Sequence, residues 1–143
     1  MTASAEAGTA WIVDASVAVK WFLPIEREPD GERARALIGQ LPMRTTSLGF
    51  YEVGNVLTIH SGWPGEKVAA ALDLLLEICG DPFAMSADDH RVAADLALAH
   101  DLSFYDASYV AIARRLGRGL LSADGDLLEP ALATGLDASE ALA

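Results

Sequence analysis

The chain has 143 residues, 52% apolar and 22% charged, which is the length of one globular domain of about 100–200 residues, large enough to bury a core without disulfide or structural metal. Its single cysteine, Cys79, has no intrachain partner, no Cys/His set with zinc spacing surrounds His60, His90 or His100, and no apolar run approaches the roughly 18–20 residues of a membrane span, so a disulfide scaffold, a zinc finger and a membrane protein are excluded. Ten Lys and Arg against 21 Asp and Glu give a formal net charge of −11, which opposes nonspecific DNA binding but does not exclude a site that gathers carboxylates around a divalent cation, so composition leaves the partner open.

Residues 1–10, MTASAEAGTA, carry no Lys or Arg and no apolar core, which fails as a signal peptide and reads as a flexible leader to a cytoplasmic protein, with residues 11–143 as a single domain. Trp11-Ile12-Val13 reads as a buried strand ending in Asp14-Ala15-Ser16, followed by a short helix before Pro24. Residues 25–31 read as a solvated loop and 32–40 as a helix. Met43-Arg44-Thr45-Thr46 is a second strand, with Ser47 placed to cap a helix over 48–60. Val68, Leu72, Leu75, Leu76 and Cys79 space an amphipathic helix over 66–79, ended by Gly80-Asp81-Pro82.

Phe83-Ala84-Met85-Ser86 reads as a further strand, with Ser86 or Asp88 capping a helix over 89–100. A helix over 107–116 stops at Gly117, and Gly119-Leu120-Leu121-Ser122 is another strand, leading through Ala123-Asp124-Gly125-Asp126 into a Leu-rich piece. An edge strand is expected in the tail from Thr134. Strands alternating with helices predict right-handed crossovers and an α/β fold, a three-layer α/β/α sandwich with a central parallel sheet.

In such sheets the ligand crevice lies outside the carboxyl ends of the strands. Asp14 follows WIV, Asp124 follows GLLSA, Asp106 opens the helix after LSFY, and Glu52 lies one turn into the helix after the second strand. Each aspartate alone is explained equally well as a helix cap. Glu52 is not, because both sides of its helix look buried; a salt bridge to Lys20 or Arg44 is the purely structural alternative. Four converging carboxylates repel one another, and all-oxygen ligation favours Mg²⁺ or Mn²⁺, whose natural chemistry is phosphodiester hydrolysis.

IVDASV at 12–17, TSLGFYEVGNVL at 46–57, FYDASYVAIA at 104–113 and LLSADGDLL at 120–128 resemble, in order, the four signature blocks of PIN-domain ribonucleases, and within them the VapC-type toxins of type II toxin–antitoxin systems. The resemblance runs from Trp11 to about Leu136. It implies a parallel α/β/α sandwich and a metal-dependent endoribonuclease in which Asp14 and Asp106 are the principal ligands of Mg²⁺ or Mn²⁺. Glu52 and Asp124 then act directly or through water, and Ser16, Asn55 and Ser122 hydrogen-bond the carboxylates. It also implies an RNA substrate and a cognate VapB-type antitoxin. The Ala/Leu-rich helices over 32–40 and 66–79 are candidate faces for that partner or for a homodimer, although core packing explains the same pattern.

Asp126 reads as a solvated turn acid. Trp21, Phe22, Tyr105 and Tyr109 are candidates to stack on bases, although aromatic residues at helical spacing are more often core or interface; Arg114, Arg115 and Arg118, with Lys20 and Arg44, are candidates to hold phosphates, a solvated helix end being the default for the arginine group. A catalytically silent PIN-fold binding module is the alternative function. A phospho-receiver domain fits less well, because one Asp rather than an acidic pair follows the first strand and no Lys occurs after Lys67.

Overall fold

Trp11, Ile12 and Val13 are all buried, a pattern that suits a strand covered on both faces. In the computed structural model, which describes residues 10–24, 26–133, 135, 136 and 138, this segment is the central strand. β1 (Trp11–Val13) lies between β2 (Met43–Arg44) and β3 (Gly119–Leu121), parallel to both, in the order β2-β1-β3. Trp11 stands opposite Met43 and Gly119, and Val13 opposite Leu121.

Successive strand side chains point to opposite faces, and each face has its own core. Trp11, Val13, Met43 and Leu121 pack with α1 (Ala15–Ala18), α2 (Gly31–Ala36), α3 (Ser47–Asn55) and α4 (Gly65–Cys79). Ile12 and Leu120 pack with α5 (Ala87–His100), α6 (Phe104–Leu116) and α7 (Gly125–Ala133). The expected three-layer α/β/α sandwich is therefore the observed one. Cys79 is buried in the first core, and burial pushes its thiol up to about 12, so it remains a protonated packing residue.

Several boundaries differ from expectation, each for a local reason. The strand expected at 83–86 reduces to one parallel bridge between Thr46 and Phe83. It stops there because Thr46, not Ser47, is the cap of α3, its hydroxyl accepting from Gly49 N at 3.1 Å, so the chain has already turned into the helix. The helix expected over 32–40 ends at Ala36, ahead of Gly39 at φ +84°. α6 starts three residues early because Ser103 Oγ accepts from Asp106 N at 3.0 Å. The helix expected over 48–60 is α-helical only to Asn55; Val56–His60 continues it as a π-helical turn closed by Ser61 N to Val56 O at 3.0 Å. The leader, apart from Ala10, and most of the tail where an edge strand is expected lie outside the described residues. Among the described residues no helix is long and apolar enough to cross a membrane.

α5 and α6 are joined by an ion pair on a cap. Asp89 and Ser86 form a reciprocal capping box at the start of α5, and Arg115 of α6 reaches the same carboxylate with Nε–Oδ1 2.9 Å and Nη2–Oδ2 2.7 Å. Burial works to raise the Asp89 pKa, but the Arg115 and Ser86 hydrogen bonds outweigh it and hold the carboxyl below its ordinary value. A depressed carboxyl stabilises the fold above its unfolded pKa of about 4 and loses that contribution as pH falls through the folded value. Arg115→Ala, which strands a buried carboxylate, is expected to cost about 2–3 kcal/mol in urea unfolding at pH 7. The deficit should shrink in acid; one that is independent of pH would assign the loss to packing instead.

Candidate active site

Asp14 follows the last residue of β1 and is only 5% exposed. Its side chain caps α1, Oδ1 accepting from Val17 N at 3.4 Å and from Ser16 Oγ at 2.5 Å, while Oδ2 accepts from Ser122 Oγ at 2.5 Å. The two hydroxyls tie the carboxyl ends of β1 and β3 together: Ser16 Oγ accepts from Ala123 N at 2.9 Å and Ser122 Oγ from Asp124 N at 3.0 Å. Burial pushes the Asp14 carboxyl up to about 6 against the pull of the bonds from Ser122, Ser16 and Val17, and the charge of Asp106 adds to the rise. Asp14 is thus both a helix cap and a strained charge.

Asp106 is the third residue of α6 and is not its cap, a role that belongs to Ser103. Its pKa is raised by burial and then by Asp124, with Ser103 opposing. Asp124 is exposed and opens α7, its Oδ1 accepting from Asp126 N at 3.0 Å and its carbonyl from Leu127 N and Leu128 N at 3.1 Å. Asp126 is exposed, as expected of a turn acid. Mutual repulsion therefore links Asp14 to Asp106 and Asp106 to Asp124.

Glu52 joins the set through a tyrosine. Tyr109, 2% exposed and one turn beyond Asp106 on α6, donates its hydroxyl to Glu52 Oε1 at 2.5 Å. Burial first, then the bond and charge of Glu52 and the charge of Asp14, hold the phenol well above its ordinary pKa, so it remains a proton donor. The helix makes room for it at Gly49, where a Cβ would collide with Thr45 Oγ1 and lie 3.2 Å from the Tyr109 hydroxyl. Thr45 in turn donates to Val13 O at 2.8 Å, next to Asp14.

The salt bridge that was the purely structural alternative for Glu52 is absent among the described residues. Lys20 pairs with Glu28 at 2.7 Å, and Arg44 donates to Asp81 O at 2.8 Å and lies over the Phe83 ring. Among the described residues no ion pair reaches Asp14, Glu52, Asp106 or Asp124. Nor do any three of their His, Cys, Asp and Glu side chains form a ready-made metal cage.

Ser16 and Ser122 bond a carboxylate as expected. Asn55 does not: it is exposed and its amide bonds none of the four acids. Trp21 and Tyr109, expected as base-stacking candidates, are buried in the two cores. The tie between Tyr109 and Glu52 was visible in sequence only as a tyrosine one helical turn after Asp106.

A parallel sheet between two helical layers, with acids gathered at the carboxyl ends of β1 and β3, defines an α/β/α domain with an acidic cluster at one end of its sheet. The family model of the PIN domain matches residues 11–132, and the chain belongs to that family. It is 35% identical over 129 residues to Ribonuclease VapC3 of Pyrobaculum aerophilum, the match covering 86% of this chain and 97% of that protein. Two solved structures share the fold. They are VapC20 of Mycobacterium tuberculosis, described as a Sarcin-Ricin loop cleaving toxin (TM-score 0.69, 22% identity, 89% of this chain and 96% of that one), and FitAcB of Neisseria gonorrhoeae (TM-score 0.69, 15% identity, 91% and 96%).

The raised Asp14 pKa has a definite sign. The folded state holds its proton more tightly than the unfolded chain, so stability is greatest below pH about 4 and falls as pH rises to about 6, by about 3 kcal/mol for a shift of about two units. Asp14→Asn is therefore expected to raise the melting temperature in EDTA at pH 7.5 by several degrees. An unchanged or lower value would show that the ionised carboxylate is compensated after all.

Proposed function

We propose that the chain is a metal-dependent endoribonuclease that hydrolyses RNA phosphodiester bonds, and that it acts as the toxin of a type II toxin–antitoxin pair. The observation that carries this reading is Asp14, a buried carboxylate oriented by two serines and a backbone N–H, with no ion-pair partner among the described residues and two further aspartates repelling in sequence. Such a group is costly unless it is neutralised. An all-oxygen donor set in an acidic crevice fits Mg²⁺ or Mn²⁺, which binds through one or two carboxylates and completes its shell with water and phosphate. The ribonuclease relative at 35% identity supports RNA as the substrate.

In this reading Asp14 and Asp106 hold the ion, with Asp124 contributing directly or through water. When bound, the ion supplies charge neutralisation for phosphate and Lewis acidity toward water. The serines fix the rotamer of Asp14, so little reorganisation is needed when substrate arrives. Tyr109 occupies Oε1 of Glu52 and leaves Oε2 to accept a proton from the attacking water.

The acidic crevice suits a VapB-type antitoxin that covers it with a basic side chain, and self-association as a homodimer in the cytoplasm belongs to the same reading. A silent binding module has less support, since the strained acids of the crevice serve no purpose in it.

The test is cleavage of total RNA and a tRNA pool by purified, antitoxin-free protein in Mg²⁺ or Mn²⁺ and again in EDTA. Cleavage is expected only with metal, and Asp106→Asn should lower it at least 100-fold. Equal cleavage by that variant, or no cleavage by folded protein with either ion, would remove the nuclease reading. Tyr109→Phe keeps the ring and loses only the hydroxyl; it should lower kcat about tenfold with KM little changed. An unchanged kcat would make Tyr109 a packing residue only.

A further inference from the structure

The basic side chains expected to hold phosphates are mostly engaged elsewhere. Lys20 is buried against Glu28, Arg44 lies over Phe83, Arg115 is bound to Asp89, and Arg118 sits over Trp11. With a net charge of −11, counterion release from phosphates offers little binding energy. If the chain cuts RNA, its affinity must come from something other than charge.

Beside Glu52 lies a groove of about 550 Å³ lined by Tyr51, Asn55 and His60 from the α3 segment and Tyr105 from α6, with no Lys or Arg in its wall. Tyr51 is 68% and Tyr105 64% exposed, and although the Tyr51 ring stands edge-on to Phe50 at 6.2 Å, most of both rings is left to solvent. The Asn55 amide makes no hydrogen bond within the described chain, which leaves donors and an acceptor turned to solvent. The π-helical turn completes the wall. In a continuous α-helix His60 would lie about 180° round from Tyr51, nine residues at about 100° each; i→i+5 bonding over Val56–His60 brings residues five apart closer to alignment and places His60 beside Asn55.

We propose that this groove binds an unpaired nucleobase of single-stranded RNA, stacked on Tyr51 and Tyr105 and read along its edge by Asn55 and His60, next to the bond to be cut. The inference rests on the ribonuclease reading and assigns the substrate contact that the acids alone do not provide. Aromatic faces beside an amide and an imidazole, with no Lys or Arg among the described lining residues, match a base better than a phosphate. The groove shares Glu52 with the acidic crevice, so a base held there places its own backbone at the acids. A second copy of the chain covering the same rings is the competing occupant, and the experiment separates the two.

The measurement is the affinity of fluorescent A, C, G and U RNA octamers, and of an octamer duplex, for the Asp106→Asn protein in Mg²⁺, across a range of salt, alongside its mass in solution. Tyr51→Ala and Tyr105→Ala should each weaken the preferred octamer about tenfold or more, while Tyr51→Phe stays within about threefold. The duplex should bind at least tenfold more weakly than the preferred octamer, and the slope of log K against log salt should be shallower than about −2. In the otherwise native chain the alanine variants should raise KM for cleavage and flatten its base preference. Unchanged octamer affinity in the alanine variants overturns the proposal, as does a slope of about −2 or steeper. Loss of a dimer in Tyr51→Ala with RNA affinity unchanged reassigns the groove to self-association. Native protein that cuts RNA while both tyrosine variants bind and cut alike keeps the nuclease reading and loses the groove; native protein that neither binds nor cuts RNA loses both.

Discussion

Asp14 is held by two serine hydroxyls and a backbone N–H, and among the described residues by nothing positively charged. Hydrogen bonds of this kind fix where a carboxylate points, but they do not restore the solvation that burial removes. The position is created by the sheet itself. β1 is the central strand, so the residue that leaves its carboxyl end has β3 on one side and β2 on the other, and both neighbours supply contacts. Ser122 reaches it from the end of β3, and Thr45, after β2, holds the carbonyl of Val13 just before it. The fold therefore delivers a directed, uncompensated negative charge to one spot, and Asp106, Asp124 and Glu52 are arranged around that fact.

Much of this was legible because the relevant signals are local. Three apolar residues followed by Asp-Ala-Ser mark the end of a buried strand, and the order of strands and helices dictates the layers. Caps were harder. Ser103 and Asp106 stand three apart, the spacing of a capping motif, but the aromatic pair between them hid the helix start. Thr46 and Ser47 are both good caps, and only the pairing of Thr46 with Phe83 decides between them. The partner of Glu52 was legible only as a tyrosine one helical turn after Asp106, with nothing to join the two. Tyr109 is 57 residues away, and a neutral hydroxyl competing with Lys20 and Arg44 leaves no trace in charge pattern. Asn55 was misplaced by assuming that a residue three along from Glu52 must share its direction, whereas it lies about 60° off and faces solvent.

The acidic balance of the chain is unevenly used. Glu28, Asp30, Asp88 and Asp89 are paired with basic residues, so their charge is neutralised locally and goes into structure. Among the described residues the crevice acids have no such partners, and their charge adds to the field of the other unpaired acids that an approaching molecule meets. A polyanion meeting that field needs a cation already in place or contacts indifferent to charge, while a basic protein segment needs neither. One set of residues thus discriminates between classes of partner before any shape is matched.

The π-helical turn after Asn55 has a consequence for how the chain tolerates changes in length. A wide turn of this kind is a helix carrying one residue more than its α-helical path requires. Loops absorb insertions and deletions because nothing downstream depends on their count. Here, loss of a single residue between Val56 and His60 would let the segment close as an ordinary α-helix over nearly the same path, leaving the approach to α4 close to its present course while removing the offset that brings His60 round toward Asn55. The extra residue is one that the packing of the helices can lose and the groove wall cannot, so a change of length here acts on a surface and not on the core.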